Sequence, residues 1–358
     1  MFIFLQTLEG FVMKTMKLFL LVSIFISLSS LAQKKVVSMS YIRAIKFTEL
    51  APDLNQAFFK AKFTSRNFIE KATRNLDKAI VSEKNGKFYF VNRRGVPIQT
   101  FDLARLGIYR VGHYQWSPDG TMMLVSMRKD ESSSLYLLKL DGSMVEVIPF
   151  TKKRGGVTQP SWSFDSRMFV YLKVIPTEAH EIWIKDMKKN SEVLVERIPM
   201  GEGACGNPVW FNQSARIVYR KRQSYMKVKK YIEELWIYDF DKNEKKKIYE
   251  GRVETPFPII SPDDTMIGTD TGQFFTLLDL EGNILKNLYI GPNAEPQWSP
   301  DGQFIAFLTG KVDPKTEILL EQHICVVDIN TGEVKDLTPI PGLIIDAFRW
   351  YDENTIIY

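Results

Sequence analysis

Cysteine, histidine and recognisable catalytic motifs are all scarce in this chain of 358 residues, and each scarcity closes off a class of chemistry. Cys205 and Cys325 are the only cysteines. They lie 120 residues apart in sequence, which argues against a disulfide, and two thiols are too few for a zinc site. The three histidines, His113, His180 and His323, have no carboxylate or second histidine at metal-ligand spacing. No His-Glu-x-x-His, Gly-rich phosphate loop or Gly-x-Ser-x-Gly occurs. Neither a catalytic motif nor a bound cofactor or metal is therefore expected. Low-complexity tracts are missing too, and a composition of 45% hydrophobic and 25% charged residues is that of an ordinary globular protein.

Only residues 18–28 form a long apolar run, and they are too few to span a bilayer. Lys14 and Lys17 precede this run and Ser30-Leu31-Ala32 follows it. That pattern predicts a secretory signal peptide over 1–32, removed before Gln33. Residues 1–12 are apolar, carry Glu9 and lack Lys and Arg, so translation is expected to start at Met13 or Met16. No cysteine follows the run to take a lipid anchor. The expected product is soluble in the periplasm or another exported compartment, with no stable membrane insertion and no nucleic-acid partner.

What the chain does have is a phrase written five times. Tyr114-Gln-Trp-Ser-Pro-Asp-Gly120 recurs as Pro160-Ser-Trp-Ser-Phe-Asp-Ser166, Pro208-Val-Trp-Phe-Asn-Gln-Ser214, Pro258-Ile-Ile-Ser-Pro-Asp-Asp264 and Pro296-Gln-Trp-Ser-Pro-Asp-Gly302. A looser copy surrounds Trp350. A period of roughly 40–50 residues marks a propeller or solenoid. In each copy an apolar segment ends in Trp, a Pro-Asp-Gly turn follows, and a β-rich run such as Met122–Ser126 folds back as a hairpin. A third strand (Leu135–Leu138, Ile182–Ile184, Leu235–Tyr238, Ile324–Val327) and a fourth complete the unit. Four antiparallel strands per repeat make a propeller blade, with the Trp as a packing wedge between blades.

Spacing sets the expected blade count. From third strand to the next Trp-equivalent position the distances are 27 (Leu135 to Trp162), 28 (Ile182 to Trp210), 25 (Leu235 to Ile260), 24 (Phe274 to Trp298) and 26 (Ile324 to Trp350). Phe88 to Trp116 is also 28, so residues 88–101 read as strands three and four of a blade begun elsewhere. Ala347–Trp350 and Thr355–Tyr358 supply strands one and two. The expected fold is all-β: a six-bladed β-propeller over residues 80–358 whose last blade is closed by N- and C-terminal half-blades. A rival register pairs Ala79–Glu83 with Lys87–Asn92 as a separate blade, giving seven, but it puts a third strand near Ile98, only 18 residues from Trp116. Residues 33–79 form a short N-terminal extension in which Val37, Met39, Tyr41, Ile45 and Phe47 alternate as a strand. Phe68, Ile69, Ala72 and Leu76 share one helical face, capped by Ser65.

The Trp-Ser-Pro-Asp-Gly hairpin between residues 114 and 302 resembles the TolB-like repeat, a WD40-like repeat of the PD40 kind. Such propellers also occur in tricorn-type and prolyl-oligopeptidase-type peptidases. The resemblance implies six blades, a periplasmic address and binding of cell-envelope partners. Residues 33–79 are too few for the extra N-terminal domain of the family's namesake, and the peptidases' hydrolase motif is missing, so no functional residue transfers.

Charge and loop length point to a working face. After residue 32, 45 basic and 41 acidic residues remain, while residues 216–252 alone hold twelve Lys/Arg against six Asp/Glu. From the Trp position to the third strand the distances are 19, 20, 25, 14 and 26 residues, so the slack lies between strands two and three. The longest connections are Gln223–Glu233 and Gly310–Gln322. Variable loops on a rigid scaffold carry binding. The first of them, with Tyr225, Lys227, Lys229, Lys230 and Tyr231, is the candidate binding loop for an envelope protein or an anionic polysaccharide. The alternative is a carbohydrate-active lyase or hydrolase with its site in the central channel. The Pro-Asp-Gly acids Asp119, Asp263 and Asp301 read as turn formers, and Asp328–Gly332 and Asp239–Asn243 as hairpin turns that lack calcium-loop spacing.

Overall fold

A computed structural model describes residues 44–46, 78–82, 87–92 and 96–358, with breaks at 226–229, 254–256, 272–273, 291–294, 314, 317, 339–344 and 346–347. The described residues are almost wholly strand, with one 3-10 turn at Ala104–Leu106. The first sheet is a meander of Lys78–Ser82, Lys87–Asn92 and Pro97–Asp102. The second comprises Ile108–Trp116, Met122–Lys129, Ser132–Lys139 and Met144–Ile148. The third runs through Gly156–Trp162, Met168–Ile175, Ala179–Asp186 and Ser191–Pro199. The fourth holds Gly203–Trp210, Arg216–Tyr225, Lys230–Asp239 and Glu244–Gly251. Shorter strands, Ile259–Ile260, Ile267–Asp270, Phe275–Leu278 and Ile284–Leu288, build the fifth. Gln297–Trp298, Phe304–Val312, Leu319–Asp328 and Val334–Asp336 form the sixth. In the seventh, Arg349–Asp352 and Thr355–Ile357 are joined by Ala44–Lys46.

Among the described residues there are six hydrogen-bonded sheets, one of which is eight-stranded and contains the second and third units through a parallel bridge, so seven strand units stand where the spacing predicted six blades. Residues 88–101 do not complete the C-terminal hairpin. They pair with Lys78–Ser82, in register from Lys78↔Asn92 to Ser82↔Phe88. This is close to the rejected register, and the physical reason is local: a short hairpin closes at far lower entropic cost than a pairing across the whole chain. The C-terminal strands do receive an N-terminal segment, but it is Ala44–Lys46, paired Ala44↔Ile357, Ile45↔Ile356 and Lys46↔Thr355. The predicted helix over residues 65–76 and the predicted signal peptide lie outside the described residues.

Apolar faces join each sheet to the next, from the first to the seventh. Phe88, Phe90 and Phe101 of the first sheet meet Trp116, Met123 and Val125 of the second. Leu124, Leu135 and Leu137, on the other face of the second, meet Trp162, Phe169 and Tyr171 of the third. The same alternation continues through the seventh sheet. It follows from the two-residue pleat, which sends neighbours such as Met123 and Leu124 to opposite faces. Trp116, Trp162, Trp210 and Trp350 are buried in these seams, so the repeated Trp is scaffold. At Gly156 a Cβ would come within 2.6 Å of the Ser133 Cβ, which is why glycine stands where the second and third sheets touch edge to edge at Ser133↔Gly156.

The turn chemistry repeats as well. Ser117 Oγ donates to Asp119 Oδ1 at 2.5 Å and accepts from Met122 N at 3.0 Å. Ser163/Asp165/Met168, Ser261/Asp263/Met266 and Ser299/Asp301/Phe304 do the same. In the fourth sheet the phrase reads Phe211-Asn-Gln-Ser214 and lacks the aspartate. There Asp264 of the fifth sheet, itself buried, reaches across instead. It accepts from Asn212 N at 2.7 Å, Gln213 N at 2.9 Å and Ser214 Oγ at 2.9 Å. Asp264→Ala strands two backbone N–H groups and a hydroxyl, and is expected to cost about 2–4 kcal/mol in urea unfolding. Asp263→Ala, which opens only its own turn, is expected to cost about 1 kcal/mol. Equal costs for the two variants would refute the latch assigned to Asp264.

Candidate functional site

Successive strands are antiparallel, so each sheet presents its Ser-Pro-Asp turn at one rim. The hairpins between second and third strands lie at the opposite rim, where the first strands also begin. His113 of the second sheet and Phe257, just before the fifth, bring their rings to 6.2 Å at 66°. These sheets are not neighbours, so the first strands curl around a common centre and these two side chains meet across it. The opening around these two side chains, called the mouth below, is the candidate site; its strand positions lie opposite the middle of the second strands.

A single position builds it. Three residues before each Trp-equivalent stand His113, Gln159, Asn207, Phe257 and Glu295. Gln159 has φ 52°, Asn207 φ 53° and Glu295 φ 46°, a left-handed conformation costing about 1–2 kcal/mol for a residue with a Cβ. In the second, third and fourth sheets the ladder register shifts at this point. A bulge with a left-handed residue re-aims a side chain, and recurrent backbone strain of this kind clusters at functional sites.

The re-aimed side chains link one sheet to the next. His113 Nδ1 lies 2.7 Å from Thr158 Oγ1. Gln159 Nε2 donates to Asn207 Oδ1 at 2.7 Å, and Asn207 N donates to Gln159 Oε1 at 2.7 Å. Two positions nearer the Trp, Gln115 Oε1 accepts from Trp162 N at 2.7 Å, and Gln297 Nε2 donates to Phe348 O at 3.0 Å. Burial lowers the pKa of His113, which favours the neutral imidazole. The result is a mouth of amides, one hydroxyl, one imidazole, one phenyl ring and one carboxylate, Glu295. Among the described residues no group of three or more His, Cys, Asp or Glu could hold a metal ion.

The sequence-predicted loop fares differently. Tyr225 pairs with Lys230 and Ser224 with Tyr231, so both strands run on to the tip of one long hairpin; Lys227 and Lys229 lie outside the described residues. The second long connection is likewise a hairpin, paired as far as Val312↔Leu319. Extra length has gone into strand and not into loose loop. The basic excess of residues 216–252 is also largely engaged. Arg220 and Arg222 both bind Glu233, and Lys221 and Lys245 reach Glu196 at 3.3 and 3.4 Å. Lys247 sits between Glu234 and Glu250, and Lys242 lies 3.7 Å from Asp239. These pairs draw much of the predicted patch into the sheet's own ion pairs.

The other candidates stay apart from the mouth. His323 Nδ1 lies 2.5 Å from Asp336 Oδ2 on the neighbouring strand of the sixth sheet, and His180 sits at the start of a third strand. Cys205 and Cys325 are free and buried, and burial pushes each thiol up to about 12, far from reactivity. No helix of the described residues is long and apolar enough to cross a membrane.

No protein-family model and no curated protein matches the chain. Among solved structures it is similar to an oligogalacturonate lyase from Vibrio parahaemolyticus, at 17% identity and a TM-score of 0.50 over 74% of this chain and 72% of that one. It is also similar to a puromycin-hydrolyzing peptidase of Mycobacterium tuberculosis, at 14% identity and a TM-score of 0.51, covering 75% of this chain and 44% of that one. TolB from Acinetobacter baumannii is 16% identical over 78% of each chain, with a TM-score of 0.42. Identities this low bear on fold and leave chemistry open. In fold, the chain is an all-β array of small antiparallel sheets of the β-propeller kind.

Proposed function

We propose that this protein is an exported, periplasmic binding module that holds a component of the cell envelope at the mouth of its central channel. The observation that carries the reading is the recurrence of left-handed, bulged residues at one position of consecutive blades. A scaffold that needed only to pack would place glycine there, or no bulge at all. Here Gln159 and Asn207 keep polar side chains at left-handed positions and bond to each other; Gln159 is next in sequence to Thr158, which contacts His113, itself set against Phe257. The predicted signal peptide supplies the address. Lys227 and Lys229, which in sequence separate the paired Tyr225 and Lys230, add long-range attraction for an acidic partner. A carbohydrate-active enzyme on this fold is the weaker reading: such a site would need converging acids or bases, and the mouth is mainly amide, hydroxyl and aromatic.

The test is capture of partners from an envelope extract by the full chain. A Phe257→Ala/Asn207→Ala double variant is expected to lose the captured component at least tenfold. The Lys227→Glu/Lys229→Glu/Lys230→Glu variant is expected to keep it, with slower association whose deficit shrinks as salt rises. Undiminished capture by the double variant would remove the mouth from the site. The strain itself is measurable in urea: Asn207→Gly should be more stable than Asn207→Ala by about 1 kcal/mol, because only glycine accepts φ near 53° freely. Equal stabilities would mean that the bulge is not strained.

A further inference from the structure

We infer that the mouth binds a neutral, hydroxyl-rich saccharide, a conclusion that rests on the mouth being the binding site and goes on to name what it takes. The argument is an inventory of donors, acceptors and apolar faces. Asn207 Oδ1 is already occupied by Gln159 Nε2, and Asn207 N by Gln159 Oε1. This mutual pair fixes both amide planes and leaves the Asn207 Nδ2 donors, together with the second N–H of Gln159 Nε2, for a ligand. Gln115 is held in the same way, through Oε1 to Trp162 N, so its Nε2 is also spare. Thr158 Oγ1, beside His113 Nδ1, can accept as well as donate. The site therefore offers pre-oriented donors and acceptors mixed within one patch.

That mixture discriminates among ligands. A sugar hydroxyl donates and accepts at once, so neighbouring hydroxyls can satisfy an amide N–H and a threonine oxygen in a single pose. A carboxylate or sulfate only accepts: it can meet the amide N–H donors but leaves Thr158 Oγ1, the acceptor of the patch, unmatched. The five positions that build the mouth supply no Lys or Arg for an anion, and their one acid, Glu295, already has a partner. Arg349 stands on the last inner strand but is already engaged. Phe257, half-buried and set against the His113 ring, adds an apolar surface for the C–H face of a pyranose. Pocket chemistry of this kind, a few fixed polar groups beside one aromatic face, suits a small polar ligand better than a flat protein surface. This revises the anionic polysaccharide anticipated from the basic stretch, whose charges are largely engaged within the fourth sheet.

The experiment is calorimetric titration of the full chain with maltohexaose, cellohexaose and N-acetylated chitohexaose, and with hexagalacturonate as the charged counterpart. At least one neutral hexasaccharide is expected to bind, at least tenfold more tightly than hexagalacturonate. Phe257→Ala and Asn207→Asp should each weaken it tenfold or more. Asn207→Asp keeps a residue that tolerates left-handed backbone, so an unchanged Tm for this variant shows that the loss is local. Tighter binding of hexagalacturonate overturns the assignment, as does binding of a neutral sugar that both variants leave intact. If no neutral sugar binds while Phe257→Ala/Asn207→Ala still abolishes capture from envelope extract, the saccharide assignment falls and the mouth as binding site stands. If the double variant also captures normally, both fall.

Discussion

Everything in this molecule depends on sheets that have no solvent face. A four-stranded meander with apolar residues on both sides cannot exist in water alone, and each sheet here lends one face to each neighbour. Phe169 and Tyr171 bury toward the second sheet while Val170 and Leu172, between and beyond them in the same strand, bury toward the fourth. Stability is then a property of consecutive pairs, as in other repeat architectures. The Trp-Ser-Pro-Asp-Gly phrase is the device that repeats this join, with its indole in the seam and its turn locked by the serine and aspartate.

Polar chemistry is used to pin the array where packing alone would let it slide. In the third sheet, Glu181 Oε2 accepts from Trp183 Nε1 at 2.8 Å while its other oxygen meets Arg197. The fourth sheet repeats the arrangement with Glu234, Trp236 and Lys247. These glutamates are only 2% and 3% exposed, so an unpaired charge there would be severe, and the clamp specifies which third strand lies beside which fourth. Arg220, Lys221, Arg222 and Lys247, part of the basic stretch in the sequence, serve as counter-ions of Glu233, Glu196 and Glu234.

Architecture was legible in the sequence because it is written in strong, periodic signals. Indoles, Pro-Asp-Gly turns and a distance of about 26 residues from third strand to next Trp mark each unit without any structure. Closure was misread because Phe88 sits at the correct distance from Trp116, and that distance is silent about where the second strand comes from. The mouth was missed for a different reason. A bulge breaks alternation, so residues such as Gln159 and Asn207 leave no trace in a hydrophobic period. The available signal was positional: reading the phrase three residues upstream of its Trp yields His113, Gln159 and Asn207, polar residues in an otherwise apolar strand. The long connections were found correctly as long. Their folding into paired hairpins, as far as Tyr225↔Lys230, was not visible from length alone.

Ala44–Lys46 and Thr355–Ile357 pair although the whole repeat array lies between them. A chain emerging from its N-terminus releases the first of these segments long before the second. The six preceding sheets can assemble neighbour by neighbour during that interval, each from contacts local in sequence. The seventh cannot: its third strand waits, already made, for a partner that does not yet exist. The order of synthesis therefore becomes an order of assembly, in which the oldest described strand takes its place last.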